Sequence, residues 1–274
     1  MKYPHAYEDR LAKIDRKDNE FSIKQFYNVR QFSTNKKLLG SMKKFGTSLN
    51  DKKIEDISSD SLNKVCFLLI NNYEDEDKCL GVGPLNDGYL VSLIYKKLGF
   101  NIFYLYNPRK EEYLNFLDFF MKKTKIELTV FYTGHDMSST GSEGIEFING
   151  SLSRNSIGNI IAQNCSGKAR VLFITDCYEG GSVFDINSGY HQKDAQPLNM
   201  ISFYVIKTDS PDSKDCQRTH GIFTYYFCKI ISQCPNITPD NLVDKINPSL
   251  NRFNEVFQCE ISNEELADSK ILFD

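Results

Sequence analysis

The chain has no apolar run approaching the roughly 18 residues that a membrane-crossing helix requires, and its opening, MKYPHAYEDR, is too polar for a secretory leader. These two absences predict a soluble, cytoplasmic protein. It also has no Cys-x-x-Cys pair. Its eight cysteines, at 66, 79, 165, 177, 216, 228, 234 and 259, are scattered, which argues against a zinc site or a disulfide framework and for reduced thiols. There is no basic excess: 33 Lys+Arg against 36 Asp+Glu leave a net charge of −3, so the chain carries no footprint for nucleic acid. The bias of a disordered chain is absent too, since 41% hydrophobic and 25% charged residues are ordinary for a globular protein. A length of 274 residues suffices for one large α/β domain.

The charge that is present is unevenly spread. Residues 1–60 carry 13 Lys+Arg against 9 Asp+Glu, whereas the remainder carries 20 against 27. The shift marks a boundary near Asp60, between an N-terminal segment, 1–60, and a domain, 61–274. Phe21, Ile23, Phe26, Tyr27, Val29 and Phe32 put too many large apolar groups into twelve residues for a solvated tail, so this part of the segment is expected to pack on the domain.

From residue 65 the pattern alternates. VCFLLI (65–70) reads as a buried strand, followed by Asn71, Asn72 and an acidic loop. Tyr89, Leu90, Leu93, Ile94 and Leu98 recur at helical spacing, with Asp87 placed to cap the helix and Gly99 to stop it. Residues 101–106 form the next strand. Residues 111–123 form a helix with Tyr113, Leu114, Leu117, Phe120 and Met121 on one stripe. Alternation at this pitch predicts an α/β fold with a mostly parallel sheet and helices on both faces.

Two further strands end in residues that carry chemistry. Residues 128–132 run into Thr133, Gly134 and His135; residues 171–175 run into Asp176, Cys177 and Tyr178, with Gly180 and Gly181 in the turn beyond. A His and a Cys at neighbouring strand ends are the parts of a thiol nucleophile and its base. The arrangement resembles the caspase and metacaspase family of cysteine peptidases, and is nearest to metacaspases. The resemblance rests on YTGH at 132–135, on Gly83, Asn86 and Asp87 before the first helix, on MISFYVIKTD at 200–209, on THGIFTYYFCKII at 219–231 and on the ending at 256–273. It implies a three-layer sandwich, with His135 as the base and the backbone N–H of Asp136 in the oxyanion hole.

The nucleophile motif departs from that pattern. Metacaspases read Asp, small residue, Cys, His, Ser, Gly, Ser/Thr, Val, Leu, Asp. Aligned without a gap, Asp176, Gly181, Ser182, Val183, Phe184 and Asp185 fall on their counterparts. Cys177 then takes the small-residue position and Tyr178 that of the nucleophile. The competing register keeps Cys177 as nucleophile, but it needs one extra residue and puts Thr175 where the pocket Asp belongs. A one-residue slip at a strand end turns each side chain to the other face. A phenol with a pKa of about 10 stays protonated near neutrality, whereas a thiol at about 8.5 is readily activated, so Tyr178 cannot stand in for Cys.

The resemblance further implies an acidic substrate pocket made by Asp87, Thr133 and Asp176, with Pro84 in place of a family Cys, accepting a basic side chain. Family calcium sites use acids that are mostly missing here: Asp185 matches, and Glu143 and Glu146 are read as solvated loop residues. No metal site and no cofactor are expected, since calcium wants six to eight oxygens. Residues 186–198 read as a polar loop. The functional expectation is a degenerate pseudo-peptidase that binds a peptide or protein segment, an active metacaspase relative among them, as a monomer without nucleic-acid or membrane contacts. The alternative is an active cysteine endopeptidase that uses a Cys177/His135 dyad and cleaves after basic residues.

Overall fold

The computed structural model describes residues 34–73, 78–137, 144–164, 169–177, 183–184, 186, 199–207 and 221–272. In chain order the elements are α1 (Asn35–Met42), β1 (Gly46–Ser48), β2 (Lys64–Ile70), α2 (Gly83–Lys97), β3 (Asn101–Tyr106), α3 (Lys110–Lys123), β4 (Glu127–Gly134), β5 (Gly144–Phe147), β6 (Gly150–Ser153), α4 (Arg154–Asn164), β7 (Arg170–Cys177), β8 (Met200–Lys207), α5 (Ile222–Gln233), α6 (Pro239–Leu250) and β9 (Glu255–Ile261).

Seven strands form one sheet in the order β1-β3-β2-β4-β7-β8-β9. Every pairing in it is parallel except β8 with β9, and β5 and β6 form a separate antiparallel hairpin. The central strands read as continuous apolar runs because both faces are covered. On β2, Cys66, Leu68 and Ile70 face one core with α2, α5 and α6, built from residues such as Leu90, Ile94, Phe223, Phe227, Leu242 and Ile246. Val65, Phe67 and Leu69 face the other, filled by Tyr113, Leu117 and Phe120 of α3, by Ile157 and Ile161 of α4, and by Ile145 and Phe147 of the hairpin. The expected mostly parallel sheet with helices on both faces is what the chain forms.

Residues 34–60, within the N-terminal segment, take part in this architecture. Leu38 and Met42 of α1 are buried in the first core, and β1 extends the sheet by pairing with β3. The apolar cluster at Phe21–Phe32 lies outside the described residues.

The amino end of the sheet is held by charge. Glu127 and Arg170, the first residues of β4 and β7, are register partners, and both are buried. The Arg170 guanidinium donates to the Lys270 carbonyl and, at 2.6 Å, to the Ser269 hydroxyl, fastening the C-terminal stretch whose Ile271 and Leu272 are buried. Removing one member of such a group leaves an uncompensated buried charge. Arg170→Met is therefore expected to lower folding stability by about 3–5 kcal/mol in urea titration, and Arg170→Met with Glu127→Leu to recover part of that loss. An unchanged midpoint in the single variant would contradict this reading.

Candidate active site at the carboxyl ends of the strands

Parallel pairing brings the carboxyl ends of β2, β4 and β7 to one edge in close register: Ile70 opposite Thr133, Thr133 opposite Asp176, and Gly134 opposite Cys177. After β2 the chain passes to β3 on one side, and after β4 it continues to β7 on the other. The sheet thus has its topological switch point between β2 and β4, where open α/β sheets bind their ligands. His135 sits in that crevice.

His135 is held from several directions. Its ring stacks on Tyr73, with centroids 4.8 Å apart and planes inclined by 29°. Its Nε2 lies 2.8 Å from the Lys78 carbonyl oxygen. A carbonyl can only accept, so Nε2 is the donor of this contact, and of the two neutral tautomers it selects the one whose lone pair is on Nδ1. The backbone is fixed as well: the His135 N–H donates to the Tyr73 hydroxyl at 3.1 Å, and the His135 carbonyl accepts from the Tyr132 hydroxyl and, at 3.3 Å, from the Glu146 N–H. Tyr73 in turn donates to the Glu146 carbonyl at 2.8 Å, an oxygen that also accepts from Asn71 Nδ2 at 2.8 Å. Burial pushes the Tyr73 phenol up to about 12, which keeps it a neutral donor. Gly134 is required here, since a Cβ would lie 2.8 Å from the Tyr132 hydroxyl oxygen and 3.0 Å from Asn71 Cβ.

Asp176 and Cys177 leave the sheet on opposite faces. Cys177 is 9% exposed and packs in the α3/α4 core with Phe173, Val183, Phe184 and Ile186. Burial, then the charges of Asp136 and Asp176, hold its thiol well above the ordinary thiol value. Among the described residues no hydrogen bond joins this thiol to His135. Asp176 turns to the other face, where its carboxylate accepts from the Thr224 N–H at 3.1 Å and from the Thr224 hydroxyl. Asp87 lies beside it and accepts from the Gly221 N–H at 2.8 and 3.0 Å. The two carboxylates thus meet at the N-terminus of α5, whose exposed N–H groups and dipole favour negative charge. Contact is so close that a Cβ on Gly221 would fall 2.0 Å from Asp176 Oδ2.

Thr133, buried and in register with Asp176, belongs to this end of the sheet as expected. Asp136 forms an antiparallel bridge with Ile145. Two local expectations need correction. Asp87 does not cap its own helix, because Pro84 is compatible with the first turn and α2 begins at Gly83; Asp87 falls in the second turn and meets the start of α5 instead. Glu146 is no loop residue: it lies in β5 and pairs with Lys78. Tyr178, Glu143 and Asp185 lie outside the described residues. Among the described residues no three His, Cys, Asp or Glu side chains are grouped to hold a metal ion.

Sequence reasoning did not reach Tyr73 or Lys78, and it gave no individual role to Tyr132 within YTGH or to Gly221 and Thr224 within the 219–231 stretch. Only the last pair had a local signal, a Gly followed three residues later by Thr at a helix start.

Solved structures similar to this chain include the following two. The crystal structure of the Drosophila initiator caspase Dronc matches with a TM-score of 0.56 at 13% identity, covering 77% of this chain and 82% of that one. A protein from Geobacter sulfurreducens matches with a TM-score of 0.55 at 10% identity, covering 76% of this chain and 98% of that one. No family model and no curated protein matches the sequence. The fold is caspase-like, a mixed α/β structure around a mostly parallel seven-stranded sheet.

The carboxylate pair generates a pH prediction. Burial first, then the Asp176 charge, raise the Asp87 carboxyl well above the usual range, against the opposing pull of the Gly221 N–H. The folded state therefore binds a proton that the unfolded state has released, and this contribution to stability is present at low pH and lost as pH rises towards the raised value. Asp87→Asn keeps an acceptor for Gly221 without the charge. Its stability relative to the parent is expected to increase with pH above about 4, where free Asp ionises. A difference between the two urea midpoints that stays constant from acid to neutral pH would refute this.

Proposed function

We propose that this caspase-fold protein is a pseudo-peptidase: it binds a peptide or protein segment at the carboxyl edge of its sheet and does not cleave it. In this reading Cys177 is an inert core thiol and Tyr178 stands at the nucleophile position. The observation that carries it is the divergence of Asp176 and Cys177. Asp176 shares its face with Asp87, as a pocket carboxylate must, which leaves Cys177 on the core side, where its thiol is hard to ionise. The next residue in the chain is a phenol that stays protonated near neutral pH, so an acyl-enzyme could not form at a useful rate. His135 keeps the tautomer of a base and has no nucleophile to serve.

The bound segment would present a basic side chain to Asp87, Thr133 and Asp176, and an active relative of the same fold is one protein that could supply it. The chain works as a monomer in the cytoplasm, with neither calcium nor another cofactor.

A second reading is kept because Gly134 is the register partner of Cys177, one residue short of His135. A small shift at that strand end would form a Cys177/His135 dyad, and the protein would be an active endopeptidase cleaving after basic residues.

Cleavage of fluorogenic peptides bearing Arg or Lys before the scissile bond, with and without calcium, separates the two. The parent and Cys177→Ala are expected to be equally silent, and Tyr178→Cys to gain cleavage that exceeds the parent by at least a hundredfold, the low end of what a positioned nucleophile and base contribute. Cleavage by the parent that Cys177→Ala abolishes would make the second reading correct.

A further inference from the structure

At the opposite end of the sheet from His135 lies an open cleft of about 410 Å³, bordered by the turn after α1, by β1, by the chain leading to β2, by the last turn of α2 and by the start of β3. Its floor is apolar, made by residues such as Phe45, Ile57 and Phe103, of which Phe103 is 5% exposed. Its rim is basic: Lys43, Lys44, Lys52 and Lys96 all line it and all four are exposed. One carboxylate, Asp56, also lines it, and one of that group's oxygens is occupied by the Lys53 N–H at 3.0 Å. None of the four lysines forms an ion pair with another of the described residues.

The position of Lys96 in the last turn of α2 suits the negative end of that helix. Lys43 and Lys44 likewise follow the C-terminal end of α1, so that of the four only Lys52 has no such account. A cleft of this volume is roughly one Debye length across, about 8 Å at physiological ionic strength, so the four ammonium groups raise the local potential together. The walls are built. Asn101 Nδ2 donates to the Ser61 carbonyl at 3.0 Å and ties β3 to the chain that leads into β2, while Gly46 sits where a Cβ would lie 2.8 Å from Ile102.

We propose that this cleft binds a compact organic phosphate, its phosphoryl groups on Lys43, Lys44, Lys52 and Lys96 and its less polar part against Phe45 and Ile57. The volume is that of a small-molecule site. Lysines serve as point-charge phosphate binders. The whole chain is acidic, at a net −3, whereas four lysines line this one cleft beside a single carboxylate, which fits a small anion and not an extended nucleic acid. The site shares no residue with the His135 edge, so it stands or falls independently of the pseudo-peptidase reading.

Titration calorimetry of the full chain with ATP, with inorganic tripolyphosphate and with a poly-glutamate peptide tests the proposal. ATP is expected to bind more tightly than tripolyphosphate, with affinity falling as salt is raised. Lys44→Gln with Lys96→Gln should weaken ATP at least tenfold, and Lys122→Gln with Lys123→Gln on α3 should leave it unchanged. Tyr178→Cys should bind ATP as the parent does. No binding of ATP at millimolar concentration, an equal effect of the two lysine pairs, equal affinity for tripolyphosphate, or tighter binding of the acidic peptide would each overturn it. Thermal unfolding of each variant establishes that a lost signal is not a lost fold.

Discussion

The in-register parallel pairing of β4 with β7 is the constraint on which the rest of the site depends. It sets Thr133 beside Asp176 and Gly134 beside Cys177, and with period-two alternation it decides which side chain goes to which face. Asp176 is sent to α5, where it completes a helix start. Cys177 is sent to the α3/α4 core, where Phe173 and Phe184 stack with centroids 4.5 Å apart on the same side. A slip of one residue that brought Asp176 into the place of Cys177 would leave Thr175 in the place of Asp176. It would bury a carboxylate among phenyl rings and leave the Thr224 N–H without its acceptor, so the register is strongly enforced.

Around that pairing the edge is preorganised by phenols. Tyr73 and Tyr132 each reach the backbone of His135, and Tyr73 also covers the imidazole face. Tyr73 adopts a φ of 52°, a conformation that costs a non-glycine residue and that its hydroxyl contacts to His135 and Glu146 offset. The β5–β6 hairpin belongs to the same unit, since Glu146 receives Tyr73 and Asn71 on its carbonyl while its carboxylate pairs with Lys78. The imidazole is thus fixed in tautomer and in place by groups that do not themselves titrate near neutrality.

The layers and the strand ends could be read from the chain because both are periodic signals. The apolar runs of β2, β3, β4 and β7 and the stripe of α3 stand within one or two residues of where the pattern puts them. The convergence of Asp87 with Asp176 followed from family resemblance, but the element that receives them did not. Gly221 is 134 residues from Asp87, and no local pattern records a contact over that distance. Tyr73 was invisible for a related reason. It is a single aromatic in a polar stretch after a strand, and its significance lies in a backbone angle and in partners on β4 and β5. Short elements also escaped: β1 has three residues, and the β5–β6 hairpin is interrupted only by Ile148 and Asn149, in a stretch that composition marks as loop.

β9 runs antiparallel along β8 through seven register pairs, from Ile201 with Ile261 to Lys207 with Glu255. The backbone groups on that side of β8 are therefore already used. Sheet growth by a foreign strand would have to start from β9, whose sequence EVFQCEI places a charge near each end, or from β1, which offers only three residues. Charged and very short borders are the means by which sheets avoid templating their own aggregation. Among the described residues the sheet therefore ends in one border of three residues and one with a glutamate near each end, and neither favours the addition of a foreign strand.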